Sequence, residues 1–160
     1  MIDIFIITYC HSYSGDVMGL DMWIYKRYYL SANERKELKI SHPLIKFNAD
    51  KVTMIEEECM YWRKAWPIHW WFVQNAKNGK DDSKECYLSK GLLKRLLDAV
   101  KRALNVEDIT TVLPTPVYDF VGDEGFDAWN REMLEYTRER LERLLAEWDN
   151  RAVYVYISLW

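Results

Sequence analysis

Five side chains in residues 52–75 stand at spacings that would let them act together: Glu58, Trp62, Arg63, Trp66 and His69. Ile55, Cys59, Trp62, Trp66, His69 and Val73 recur at steps of three and four, the period of one helix face. On such a helix Glu58, Trp62, Ala65 and His69 share a side, with Arg63 one position around. A carboxylate, an imidazole and a guanidinium converging on indole surface would bind a planar anion. Arginine pairs bidentately with phosphate, and the indole stacks on a base. The same spacing has a plainer reading, in which His69 is a core histidine with its hydrogen bonds satisfied. Arg63 then lays its stem along the surface and keeps its head in water.

The other clusters carry less chemistry. Glu56, Glu57 and Glu58 point apart on a helix, because successive positions diverge by about 100°; they would serve its amino terminus electrostatically. Asp81 and Asp82 lack the further oxygen ligands of a calcium loop and read as a solvated turn. Cys10, Cys59 and Cys86 are odd in number and without paired spacing, which indicates neither a disulfide framework nor a zinc site. His11, Ser12 and Ser14 beside Cys10 lack the oriented base that nucleophilic catalysis needs. Lys90, Lys94 and Lys101, with Arg95 and Arg102, read as a solvated basic helix face. No metal and no cofactor is expected.

The elements that would position these residues follow from periodicity. Ile2, Ile4, Phe5, Ile6 and Ile7 predict a strand ending in the polar stretch 11–16. Residues 22–30, with Trp23, Ile24, Tyr25, Tyr28 and Tyr29, predict a bent strand or hairpin arm. Residues 38–47 are interrupted by Pro43 and read as a short edge strand or loop. Thr53 and Glu56 have capping-box spacing, so the helix over 52–75 opens there and kinks at Pro67, or divides into two abutting helices.

A second helix is predicted from Ser89 to Asn105, with Leu92, Leu93, Leu96, Leu97, Val100 and Leu104 inward. Residues 110–123, with Pro114 and Pro116, form a connector. The longest helix runs over about 124–149 with Phe126, Trp129, Met133, Thr137, Leu141, Leu144 and Trp148 inward, and Arg138–Glu142 and Glu139–Arg143 pairs outside. Residues 152–160 close the chain as a strand able to complete a sheet or an oligomer interface. The whole predicts an α+β fold: a small mixed or antiparallel sheet with about three helices in one domain over residues 1–160.

Composition sets the bounds. With 49% hydrophobic residues in 160 positions, the chain can bury a core without disulfide or metal staples. A net charge of -3 argues against a general nucleic-acid-coating protein, whose affinity rests on many lysines and arginines. The first nine residues lack the basic start and cleavage site of a signal peptide, and no apolar run suggests a membrane span. Eight Trp and eleven Tyr are a heavy aromatic load, suited to interface anchors or to a tryptophan-rich core.

Several segments carry a family resemblance: Met18-Gly19-Leu20-Asp21-Met22, then Tyr61-Trp62-Arg63-Lys64-Ala65, Ile68-His69 and Trp71-Phe72-Val73. With Asp81-Asp82, Leu113-Pro114-Thr115 and the aromatic carboxy terminus, they resemble a family of uncharacterised bacteriophage proteins often mislabelled phosphoglycerate kinase. That enzyme is much larger and has two domains, and this chain supplies no glycine-rich nucleotide loop. The resemblance starts at Met18, so residues 1–17 read as an added strand or an overcalled start. The chain departs from the family at Trp66, where Asn is usual, at Ser83, where Cys is usual, and at 118–122, where a Gly/Phe-rich patch is usual.

The resemblance implies a phage accessory protein of the host cytoplasm. The expected function is non-enzymatic: binding or sequestering a host protein, or a small anionic, nucleotide-like immune signal, as a homo-oligomer. The alternatives are an enzyme on nucleotides or phosphorylated metabolites, with His69 as acid-base and Glu58 orienting it, and a structural protein without ligand.

Overall fold

The computed structural model describes residues 19–38, 48–115 and 125–160, excepting the side chains of residues 49 and 125–129. The predicted first strand, the 11–16 turn, Cys10, most of the Pro43 segment, the end of the connector and the inward positions of Phe126 and Trp129 lie outside the described residues. What is described is α+β: an antiparallel four-stranded sheet and four helices, three of which pack around one core.

The order along the chain is β1 (Asp21–Tyr29), α1 (Ala32–Glu37), β2 (Met54–Arg63), α2 (Trp66–Asn75), β3 (Cys86–Leu88), α3 (Lys90–Leu104), α4 (Gly125–Ala146) and β4 (Val153–Leu159). The sheet order is β2-β1-β4-β3. β4 is hydrogen-bonded to β1 on one side and β3 on the other, so this carboxy-terminal strand is interior and an oligomer would use another surface.

The helix predicted from residue 52 is corrected. Met54–Arg63 is a strand paired with β1 from Tyr29↔Met54 to Asp21↔Arg63, and the helix begins only at Trp66. The period-two signal was hidden by a bulge: Ile24 faces Met60 and Tyr25 faces Glu58, leaving Cys59 as an extra residue. Pro67 is no kink; it sits in the first turn of α2, where its missing N–H costs nothing. Lys64 turns the corner between the two elements with φ 58, its N–H donating to the Leu20 carbonyl at 2.6 Å.

One face of the sheet supplies Met22, Ile24, Met60, Trp62, Tyr154, Tyr156 and Leu88 to the core. Against it pack Ile68 and Phe72 of α2, the leucine face of α3 and Met133, Leu134, Leu141 and Leu144 of α4. α3 matches its predicted inner face, α4 does so at Met133, Thr137, Leu141 and Leu144, and Ser89 caps α3 through its hydroxyl on the Leu92 N–H. Arg131 of α4 closes the other end of α3, donating to the carbonyls of Leu104, Val106 and Glu107. The predicted Arg138–Glu142 pair is replaced: Arg138 holds Glu135 at 2.8 Å, and Glu142 crosses to Lys101 of α3 at 2.7 Å. α4 also covers the outer edge of β2, where Arg140 Nη2 donates to the Cys59 carbonyl at 2.6 Å. Among the described residues, no helix is long and apolar enough to cross a membrane.

Candidate functional site

Strand alternation places two different chemistries on the two sides of this sheet. The side away from the core carries Trp23 opposite Tyr61 and Ile157, then Tyr25 opposite Glu58 and Val155, with Tyr87 beside Val155 on β3. Trp23 and Tyr25 lie nearly parallel with ring centroids 6.5 Å apart, and Tyr61 leans on Trp23 at 5.5 Å. Tyr87 is 71% exposed, the most solvent-facing of the large apolar side chains among the described residues.

The polar tips on this outer side are held in place. Tyr61 donates its hydroxyl to Asp21 at 2.6 Å, and burial, with that bond second, pushes its pKa up to about 12. Burial and the nearby Glu58 and Glu56 raise Tyr25 to about 12, so both rings stay neutral. Arg27 is clamped between Glu56 and Glu85, at 2.5 and 2.8 Å. The fringe is acidic: Asp21, Glu56, Glu58 and Glu85 stand against Arg27 and Arg63.

The five residues picked from helical spacing do not converge. Glu58 and Arg63 are exposed on β2. Trp62 points the other way, 3% exposed, with its indole N–H on Thr137 Oγ1 at 2.9 Å and its ring edge on Phe72. Only Trp66 and His69 meet, edge to face at 5.9 Å. A bulged strand sends residues 58 and 62 to opposite sides, which a helix would have superimposed.

His69 is the buried histidine of the plainer reading, at 1% exposure. Its Nε2 lies 2.9 Å from Asp81 Oδ1 and its Nδ1 2.8 Å from the Tyr156 hydroxyl. Asp81, not Glu58, orients the ring. Burial lowers the His69 pKa, outweighing the pull of Asp81, and burial raises that of Tyr156. The ring is therefore neutral, Nε2–H donating to the carboxylate and the Tyr156 O–H donating to Nδ1. Trp66 and Trp160 close over it edge-on.

Asp82, the neighbour of Asp81, takes the ammonium of Lys77, itself 8% exposed, at 3.0 Å; Lys77 also donates to the Asp82 carbonyl. The two aspartates are thus internal fasteners of the α2–β3 loop rather than a freely solvated turn. Cys59 and Cys86 are free thiols that burial pushes up to about 12 and about 11, keeping them protonated. No group of three or more metal-ligating side chains occurs among the described residues.

The outer rings Trp23, Tyr25, Tyr61 and Tyr87 were missed as a set. Their signal was present in β1, where Met22 and Ile24 alternate with Trp23 and Tyr25. Compared with known proteins, the chain matches no family model, no curated protein and no solved structure.

Proposed function

We propose that this chain is a non-enzymatic binding protein that holds a host protein on the outer aromatic side of its sheet. The observation that carries the reading is the Trp23–Tyr25–Tyr61 array, with Tyr87 standing 71% exposed at its margin. Aromatic rings with polar tips dominate the energetics of protein interfaces, because they bury large area at little conformational cost. The cation at the middle of this side, Arg27, is already neutralised by two glutamates, which disfavours a phosphate backbone and favours a basic protein surface. The groups that acid-base catalysis would use, His69 and Tyr156, are buried and bonded to each other. The resemblance to phage proteins supports an accessory role in the cytoplasm of an infected cell.

Affinity capture from host lysate, run in parallel with the native chain and Tyr87→Glu, tests this. The native chain retains a partner, and the variant, equally folded, loses about 30-fold or more in affinity for it, the scale of one aromatic anchor. A partner held equally by both proteins, or none held by the native chain, overturns the reading.

A further inference from the structure

On the core side of the same ribbon, the bulge at Cys59 and the last turns of α4 leave a cleft of about 240 Å³. Three cations line it, Lys26, Arg140 and Arg143, together with Glu57, Glu58 and Glu147. The cations are poorly matched by these carboxylates. Lys26, its side chain only 15% exposed, has Glu57 no nearer than 3.7 Å, and Glu57 is mostly in solvent. Arg140 bonds a backbone carbonyl, stands over the Tyr136 ring at 6.0 Å and keeps its Nε buried without a hydrogen-bond partner. Among the described residues no carboxylate reaches within 4.0 Å of Arg140 or Arg143, although Glu147 is one helical turn from Arg143.

A half-buried guanidinium without a counter-ion is an expensive arrangement for the empty protein, and an oxyanion would relieve it. We propose that this cleft binds a small oxyanion that also carries hydrogen-bond donors. Its phosphate or carboxylate would lie on Arg140, Lys26 and Arg143, and its amine or hydroxyls would face Glu57 and Glu147. Glu58 directs its side chain to the outer side, so the cleft has three cations to the two carboxylates of Glu57 and Glu147, which suits an oxyanion with a hydrogen-bond-donating end. The volume falls below the roughly 300–1,000 Å³ of pockets for drug-sized ligands, so the occupant is a small metabolite rather than a dinucleotide. Bulges recur beside binding sites because they re-aim groups of the strand, and here the Cys59 carbonyl is turned to Arg140.

Titration calorimetry with O-phosphoethanolamine, inorganic phosphate and γ-aminobutyrate tests the site on the full chain. The expected result is one-to-one binding of O-phosphoethanolamine or γ-aminobutyrate, the preferred one telling phosphate from carboxylate, and weaker binding of inorganic phosphate. Arg140→Gln lowers affinity about tenfold or more, the scale of one charge-assisted pair. Because Arg140 also covers the edge of β2, the exposed Arg143→Gln is the companion variant, weakening binding without moving the melting temperature. Tyr87→Ala, on the other side of the sheet, leaves it unchanged, so this site and the proposed protein interface fail or stand separately. No heat from any of the three probes, or affinities unchanged in both arginine variants, overturns the proposal.

Discussion

The two sides of the sheet are built from the same strands and spend their tyrosines differently. On the core side Tyr156 is fully buried and its hydroxyl is spoken for by His69; one residue along the paired strand, Tyr87 stands in solvent. On the core side Asp81, His69 and Tyr156 form one hydrogen-bonded chain that fixes how α2, the loop after it and β4 fit together. On the outer side Trp23, Tyr25 and Tyr61 are half-buried and Tyr87 is exposed. Sites for partners belong where side chains can be spared by the fold, and this difference separates scaffold from surface within one sheet.

If that division is right, the largest effect comes from the buried chain. His69→Ala leaves a cavity beneath Trp66 and Trp160 and strips partners from both Asp81 and Tyr156. A loss on the order of 3–5 kcal/mol is expected, read as a lower urea midpoint at unchanged slope. A stability near that of the native chain would mean that the core side is not the scaffold.

A smaller effect comes from pH. The unfolded His69 takes up a proton near its ordinary value of 6.5, whereas burial lowers the folded value. Below 6.5 the unfolded state therefore binds more protons, and stability rises with pH in that window. The contribution is complete above 6.5 and is lost as pH falls toward the folded value. Urea midpoints measured from about pH 7.5 down to about pH 5 should decline, and His69→Gln, which does not titrate, should flatten the part of the curve due to this ring.

Two stretches with the same motif show what was legible and why. Ser31 and Glu34 form a true capping box, hydroxyl to backbone at 3.3 Å and carboxylate to backbone at 2.8 Å, opening a short helix that went unread because it buries nothing. Thr53 and Glu56 have identical spacing and open no helix. Instead the Thr53 carbonyl accepts from Leu30 and Glu56 reaches across to Arg27, bonds that exist only once β1 lies alongside. Local motif strength is outweighed by pairing partners distant in sequence. The long, periodic helices α3 and α4 were legible because each carries its own burial pattern, and β4 because of its run of β-branched and aromatic residues. The candidate site was not, since a single bulged residue at Cys59 shifts which side every later residue of β2 faces. Glu58 and Arg63 therefore face one side of the sheet and Trp62 the other, while Trp66 and His69 stand on α2.

The smallest expected effect is also the sharpest test of the contrast. Tyr87→Ala removes a ring that is 71% exposed from a three-residue strand whose pairing to β4 is through backbone. Stability should change by no more than about 0.5 kcal/mol, as for surface positions without special partners. Tyr87 sits next to Cys86, whose register partner is the buried Tyr156, so neighbouring residues on one strand face opposite fates. A large destabilisation by Tyr87→Ala would mean that the outer rings are part of the scaffold, and their exposure would then give no reason to place a partner there. An unchanged melting curve leaves a bulky, exposed aromatic residue with no structural task, the condition under which loss of partner binding in Tyr87→Glu can be read as the loss of a contact.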